Sequence, residues 1–296
     1  MSNKENKTWL PNECSKFRWI ITAVVGYLLG HVFAVPWIIC VEFLPIFTEG
    51  SFFAPVAEIF NILGSFCLMF LGIVLAIKWI AKTSIHDFIL GSNGSVNKKQ
   101  TATILALYAL GIMISTILSI GQIHLRNISI NIFIINFVIC LLLVWAQTSF
   151  EEFVFRGFFI RFICKDEIKM SVGTVIAGIV SSLIFMSLHL SNPEVLAQAD
   201  IQVYFAAASY FLAGASMFFV DIYFKSLAPG LAIHWLNNFL AFVFISSDIS
   251  VGASPSLFVD TSELTGILML LQVVLAYLPL YLYIAYKTFK KKQQSL

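Results

Sequence analysis

Four places in this chain set ionisable or strongly polar side chains into stretches that are otherwise apolar. They are Glu151-Glu152-Phe153-Val154-Phe155-Arg156, Phe185-Met186-Ser187-Leu188-His189, His234-Trp235-Leu236-Asn237-Asn238, and Asp221. Glu152 and Arg156 are four residues apart, so on a helix they share a face and can pair, with the acid on the N-terminal side. Glu151 is turned about 100° from Glu152. It is therefore the carboxylate without a local partner, a state suited to proton transfer. His189 follows Phe185 by one helical turn, which puts an aromatic ring beneath the imidazole and can fix its orientation. His234 and Asn238 repeat the four-residue spacing with two neutral polar groups, and Asn237 lies on nearly the same side. Each stretch also has a plain structural reading: glutamates at a wet helix end, a packed histidine, and hydrogen-bonding glue between helices.

The stretches gain weight together. The turn between the helices carrying Glu151 and His189 centres near residue 168, which is 17 residues after the first and 21 before the second. In an antiparallel hairpin the two side chains then lie at similar heights, to within about one turn. A carboxylate and an imidazole so placed can share one water, and His234 and Asn238 can close the site from a further helix. A base to make the nucleophile and donors for the oxyanion are what amide hydrolysis needs. No serine or cysteine sits in comparable company, so a covalent nucleophile is disfavoured. Glu151, His189 and His234 would also make a two-His, one-carboxylate zinc set. Against zinc, the chain has no HExxH, and Asn238 is a poor zinc ligand.

The elements that must hold these residues are membrane spans. The chain has 296 residues, 59% of them hydrophobic and only 11% charged, with a mean hydropathy of +0.90. A soluble domain is about a quarter charged, and no polar stretch here is long enough to form one. Apolar runs fall near 19–41, 55–80, 102–121, 130–150, 172–190, 203–223, 229–246 and 264–286, with the fourth continuing as helix to about Cys164. The expected fold class is therefore all-α: a polytopic membrane protein of about eight transmembrane helices. Pro55, Pro193, Pro229 and Pro255 lie at or near starts or breaks, where a missing N–H costs little. No internal repeat is present, which argues against a repeat-built transporter.

Basic residues orient the bundle. Seventeen of the 18 lysines and arginines fall on one side: Lys4, Lys7, Lys16 and Arg18; Lys78, Lys82, Lys98 and Lys99; Arg156, Arg161, Lys165 and Lys169; Lys225; and Lys287, Lys290, Lys291 and Lys292. Arg126 stands alone on the other. Both termini are therefore expected in the cytoplasm. The expected organisation is a cytoplasmic N-terminal tail 1–18, one membrane domain 19–286 with a candidate peptidase core 130–246, and a basic cytoplasmic tail 287–296. Trp19 to Ile39 is too long for a signal-peptide core, and no cleavage site follows it. Cys14, Cys40, Cys67, Cys140 and Cys164 are scattered without a CxxC pair, so they read as packing residues rather than disulfides or thiolate ligands.

EExxxR, then FxxxH, then HxxxN, in that order and each on a hydrophobic helix, resembles the CPBP family of intramembrane endopeptidases (CAAX protease and bacteriocin-processing, or Abi). The glycine-containing span from Phe211 through Gly214 to Tyr223, leading through Pro229 to His234, is similar to that family too. The resemblance covers Phe150 to Asn238 and implies cleavage of a peptide bond in a membrane-associated protein or peptide, lipidated or not, within a lipid bilayer such as the bacterial plasma (inner) membrane. No nucleic-acid partner is expected. Transferred residue by residue, it makes Glu151 the catalytic glutamate and His189 its water-positioning partner. It gives His234 and Asn238 the oxyanion, and leaves Glu152, Arg156 and Phe185 in support. The aromatic often found before the last histidine is here Ala228. Members have been called metalloproteases, whereas the likeness to CAAX prenyl endopeptidases favours a glutamate-dependent mechanism without metal. Zinc on Glu151, His189 and His234 stays open at this point. The alternative from another class is a non-enzymatic immunity or scaffold protein, or a transporter, that keeps the motifs for structure.

Overall fold

The computed structural model describes residues 15–90, 97–164, 170–251, 254–263 and 265–294. Lys4, Lys7, Cys14, Lys165 and Lys169, which entered the sequence reading, lie outside these residues. In lipid a backbone N–H or C=O has no water to bond, so long apolar segments close their hydrogen bonds internally as helices. The order is α1 Lys16–Glu42, α2 Ala54–Ala76, α3 Ile85–Leu90, α4 Lys98–Thr116, strand β1 Ile123–Leu125, α5 Ile130–Glu152, α6 Phe158–Ile163, α7 Val172–His189, α8 Pro193–Leu196, α9 Gln202–Phe224, α10 Ala228–Val243, β2 Ile245–Ser246, β3 Phe258–Asp260 and α11 Gly266–Gln294. Side chains just ahead of four helices accept otherwise orphaned amides. Ser15, Asn97 and Ser129 cap α1, α4 and α5, and Ser171 and Thr174 form a reciprocal capping box on α7. Pro55, Pro193 and Pro229 fall in first turns.

Among the described residues, seven helices are long and apolar enough to cross a membrane. They match seven of the eight expected runs. The remaining run, 229–246, is α10. At 16 residues it is about 24 Å long, because the chain leaves the helix at Val243 to pair as β2. The fourth span does run on past its apolar part: α5, a π-helical turn at Phe153–Gly157, and α6 together make a 34-residue helix, Ile130–Ile163. A second π-helical turn, Ile77–Ala81, ends α2.

α1 and α2 form a close hairpin in which Gly72 meets the backbone of Gly30, so a Cβ there would collide with it. Around α5, α2 and α10 pack a buried layer of Val56, Ile59, Ile132, Val144 and Phe239. α4, α9 and α11 share another, with Tyr108, Met217, Tyr277 and Leu280. A third, centred on Trp19, Phe88, Phe153, Phe158 and Phe218, fills the end where α1, α3, α6 and α9 meet. The polar residues singled out above sit where these layers adjoin.

Arg18 and Lys16 lie at that same end. Arg18 Nε donates to the Ile80 carbonyl, and the Lys16 ammonium lies 5.1 Å from the Phe162 ring centroid. Two residues of the charge count are not loop charges, however, because Arg156 and Arg161 are fully buried. Arg161 donates to the carbonyls of Asp87 and Phe88. The opposite end carries a small sheet of order β1-β3-β2, antiparallel then parallel. The exceptional Arg126 belongs here, 2.7 Å from Asp248 and bonded to Ser246. α11 continues through Lys287–Lys292 to Gln294, so the basic C-terminal stretch is helical there.

Candidate active site

α5 carries the two glutamates on adjacent faces, and both are buried. Glu152 pairs with Arg156 at 3.1 Å, as their spacing predicts, and the Arg156 guanidinium lies over the Phe185 ring, 4.3 Å from its centroid. The π-helical turn starts at the residue after Glu152, and Gly157 at its end leaves no room for a side chain against the Phe88 ring. Such single-turn insertions concentrate at functional sites. Glu151 is not without a local partner, contrary to expectation. Gln147, one turn earlier on the same face, donates from Nε2 to Glu151 Oε1 at 2.6 Å. Glu151 Oε2 accepts no hydrogen bond.

α10 brings its histidine to both acids. His234 Nδ1 lies 2.6 Å from Glu152 Oε1, and Nε2 lies 3.4 Å from Glu151 Oε2. A carboxylate accepts, so Nδ1 donates to Glu152. Asn238 donates to Gln147 Oε1 at 2.9 Å and accepts from Asn237 at 3.1 Å, and Tyr108 donates to Asn237 Oδ1 at 3.1 Å. A chain of amides thus runs from α4 through α10 to Glu151. Asp221, the fourth polar intrusion, is buried at the end of α9 and accepts from the Gly230 amide at 2.8 Å. It caps the helix that carries His234. A Cβ on Gly230 would stand 2.7–2.8 Å from the Asp221 carboxylate oxygens, so only glycine fits there.

His189 is fixed by α7 itself. Its Nδ1 lies 2.7 Å from the Phe185 carbonyl, and the Phe185 ring packs on the imidazole with centroids 4.3 Å apart. A carbonyl can only accept, so Nδ1 carries the proton and Nε2 offers a lone pair. Height is set by a second contact. Phe155 and Phe185 meet edge to face at 5.6 Å, and Ser181 donates to the Phe155 carbonyl. Glu151 lies one turn before Phe155 on a helix running one way, and His189 one turn after Phe185 on a helix running the other. They therefore come to about the same level. The Phe185 ring also meets the His234 ring edge to face, at 6.3 Å.

Among the described residues, His234 rather than His189 is in direct contact with Glu151. The same residues contain no group of three or more His, Cys, Asp or Glu placed to hold a metal ion. Glu151, His189 and His234 are thus not drawn together as a ligand set, and His234 has both ring nitrogens turned to carboxylates. Sequence reasoning missed Gln147, although a lone amide one turn before a buried acid was a usable signal. It also missed Tyr108, Glu194 and Tyr210, which surround the site from three other segments.

Residues 132–240 match the family model described as type II CAAX prenyl endopeptidase Rce1-like. This segment is similar to Rce1-like domains. It agrees with the CPBP resemblance of the motifs, and it includes Gln147, Glu151, Glu152, Arg156, Phe185, His189, His234 and Asn238. The matched segment lies within a multi-pass membrane protein. A curated relative from Bacillus subtilis (strain 168), named "Uncharacterized protein YyaK", is 29% identical over 196 residues. The match covers 64% of this chain and 62% of the relative, so less than two thirds of that protein is spanned. No solved structure matches the chain.

Proposed function

We propose that this protein is a membrane-embedded endopeptidase that hydrolyses a peptide bond in a membrane-associated protein or peptide, of CAAX or bacteriocin-precursor type, in a bacterial plasma membrane with both termini cytoplasmic. The observation that carries the reading is Glu151: one carboxylate oxygen is held by Gln147 and the other accepts no hydrogen bond. It lies beside His234 and at the level of His189. A buried carboxylate with one oxygen committed and one open is a preorganised base.

In the proposed reaction Glu151 takes one proton from water while His189 Nε2 accepts a hydrogen bond from the water's remaining O–H, which stays on the attacking oxygen. The water oxygen attacks the scissile carbonyl carbon. Negative charge then develops on the carbonyl oxygen, next to His234 and the Asn238 amide. An amide nitrogen has two N–H donors; Asn238 uses one on Gln147 and has the other for this oxygen. Collapse breaks the C–N bond, and the leaving amine takes the proton from Glu151. Glu152 and Arg156 hold His234 in place. No step in this scheme is routed through a metal.

The test is comparative membrane peptidomics of cells carrying the wild-type protein or Glu151→Ala. The reading expects one precursor to persist uncut in the variant although the protein accumulates normally. Identical peptide profiles, with normal levels of both proteins, would contradict it.

A further inference from the structure

Beyond Glu151 and Glu152, the most fully bonded buried acid of the described residues is Glu194, in the short helix α8 that follows His189. Its Oε1 accepts from the Tyr210 hydroxyl of α9 and from Asn192 Nδ2 at 3.0 Å, and its Oε2 accepts from the Val251 amide at 3.0 Å. Asn192 also donates to the Tyr210 oxygen at 3.0 Å. One carboxylate therefore ties together the end of α7, the middle of α9 and the loop after β2. A buried charge is kept only where such donors meet it.

The group this acid holds is the Tyr210 ring, and that ring stacks on His189 with centroids 4.5 Å apart and planes 28° from parallel. Phe185 covers the imidazole from another direction at 4.3 Å, and the Phe185 carbonyl takes Nδ1–H. Two rings and one hydrogen bond leave the Nε2 edge as the open side. We propose that Glu194 and Tyr210 are positioning residues for His189: Glu194 fixes the Tyr210 ring through its hydroxyl, and the ring locks the imidazole in the rotamer and tautomer that present Nε2 to water. This rests on the reading that His189 serves the peptidase site.

The experiment compares Tyr210→Phe, Glu194→Ala and Glu194→Gln with wild type, in two measurements on the full-length protein. The first is steady-state cleavage of the precursor found by peptidomics. Tyr210→Phe keeps the ring and loses the hydroxyl, with its bond to the acid and the one it accepts from Asn192. It should lower kcat about 10- to 100-fold, the range for one hydrogen bond to a charged group, with KM nearly unchanged. Glu194→Gln, which still offers an acceptor, should lose less than Glu194→Ala, and Glu194→Ala with Tyr210→Phe should be no worse than the weaker single variant. The second is nitrogen NMR of histidine-labelled protein, with the His189 signal assigned from His189→Asn. Wild type should show one Nδ1-protonated tautomer, and Tyr210→Phe and Glu194→Ala should show an averaged one. This second measurement needs no substrate, so it separates the positioning claim from the peptidase reading. An unchanged His189 signal in a folded Tyr210→Phe protein would overturn the proposal, as would unchanged kcat in both Tyr210→Phe and Glu194→Ala.

Discussion

His234 is held by Glu152 and only approached by Glu151: the contacts are 2.6 Å and 3.4 Å. Adjacent acids on one helix thus divide into a structural member and an open one. Glu152 is the counter-charge of a fully buried arginine and the acceptor for a histidine from another helix. Removing one partner of a buried pair costs about 3–5 kcal/mol, because the other is left uncompensated. Glu152→Ala should therefore lower the thermal midpoint in detergent strongly. Glu151→Ala leaves the Glu152–Arg156 pair intact and should lower it much less. Equal losses would contradict this division.

Gln147 gives a second test. Its 2.6 Å donation orients Glu151 Oε1, and a hydrogen bond to a charged group contributes about 1.5–3 kcal/mol. Gln147→Ala should cut kcat/KM by about 10- to 100-fold while the protein stays folded. Asn238→Ala removes the donor to Gln147 and, in the proposed reaction, a donor to the oxyanion; it should cut kcat by about 100- to 1,000-fold. Wild-type rates in Gln147→Ala would show that the amide chain is packing only.

Gly230 and Asp221 fix the start of α10. Gly230→Ala would press a methyl into the carboxylate, an overpacking that costs about 1–3 kcal/mol. Asp221→Asn keeps an acceptor for the Gly230 amide and should be tolerated better than Asp221→Ala. Gly230→Ala and Asp221→Ala act on one contact, so their double variant should fall short of the sum of the singles. Full additivity in a chemical or thermal melt would argue against the cap.

Much of this was legible in the sequence, and the rest for physical reasons was not. Apolar run length fixes the helices, because lipid leaves the backbone no alternative, and four-residue spacing correctly pairs Glu152 with Arg156 and Phe185 with His189. Spacing within a helix says nothing of which helix comes nearest. His234 reaches the glutamates because the turn between α9 and α10 lies deep, where Leu227 packs against Gly157 and donates to the Ile89 carbonyl. Glu194 reads as a solvated turn residue; its burial depends on Val251, 57 positions later. The π-helical turn follows from packing that a hydropathy profile does not record.

Orientation is open to direct measurement. In a variant without native cysteines, Glu49→Cys, between α1 and α2, should react with an impermeant thiol reagent on intact cells. Lys290→Cys should react only after permeabilisation. The reverse pattern would invert the bundle.

Metal content separates the hydrolytic mechanisms. Purified protein should cleave its precursor at full rate after chelation and dialysis, without stoichiometric zinc by elemental analysis. One zinc per chain, lost with His189→Ala together with activity, would contradict the metal-free reading.

The central claim is that Glu151 is the base. The most direct measurement is single-turnover cleavage of the identified precursor by purified wild type and Glu151→Gln, each reconstituted in lipid. The account predicts a rate lower in the variant by on the order of 10²–10⁴-fold, with precursor binding retained. Cleavage by folded Glu151→Gln at the wild-type rate would contradict it.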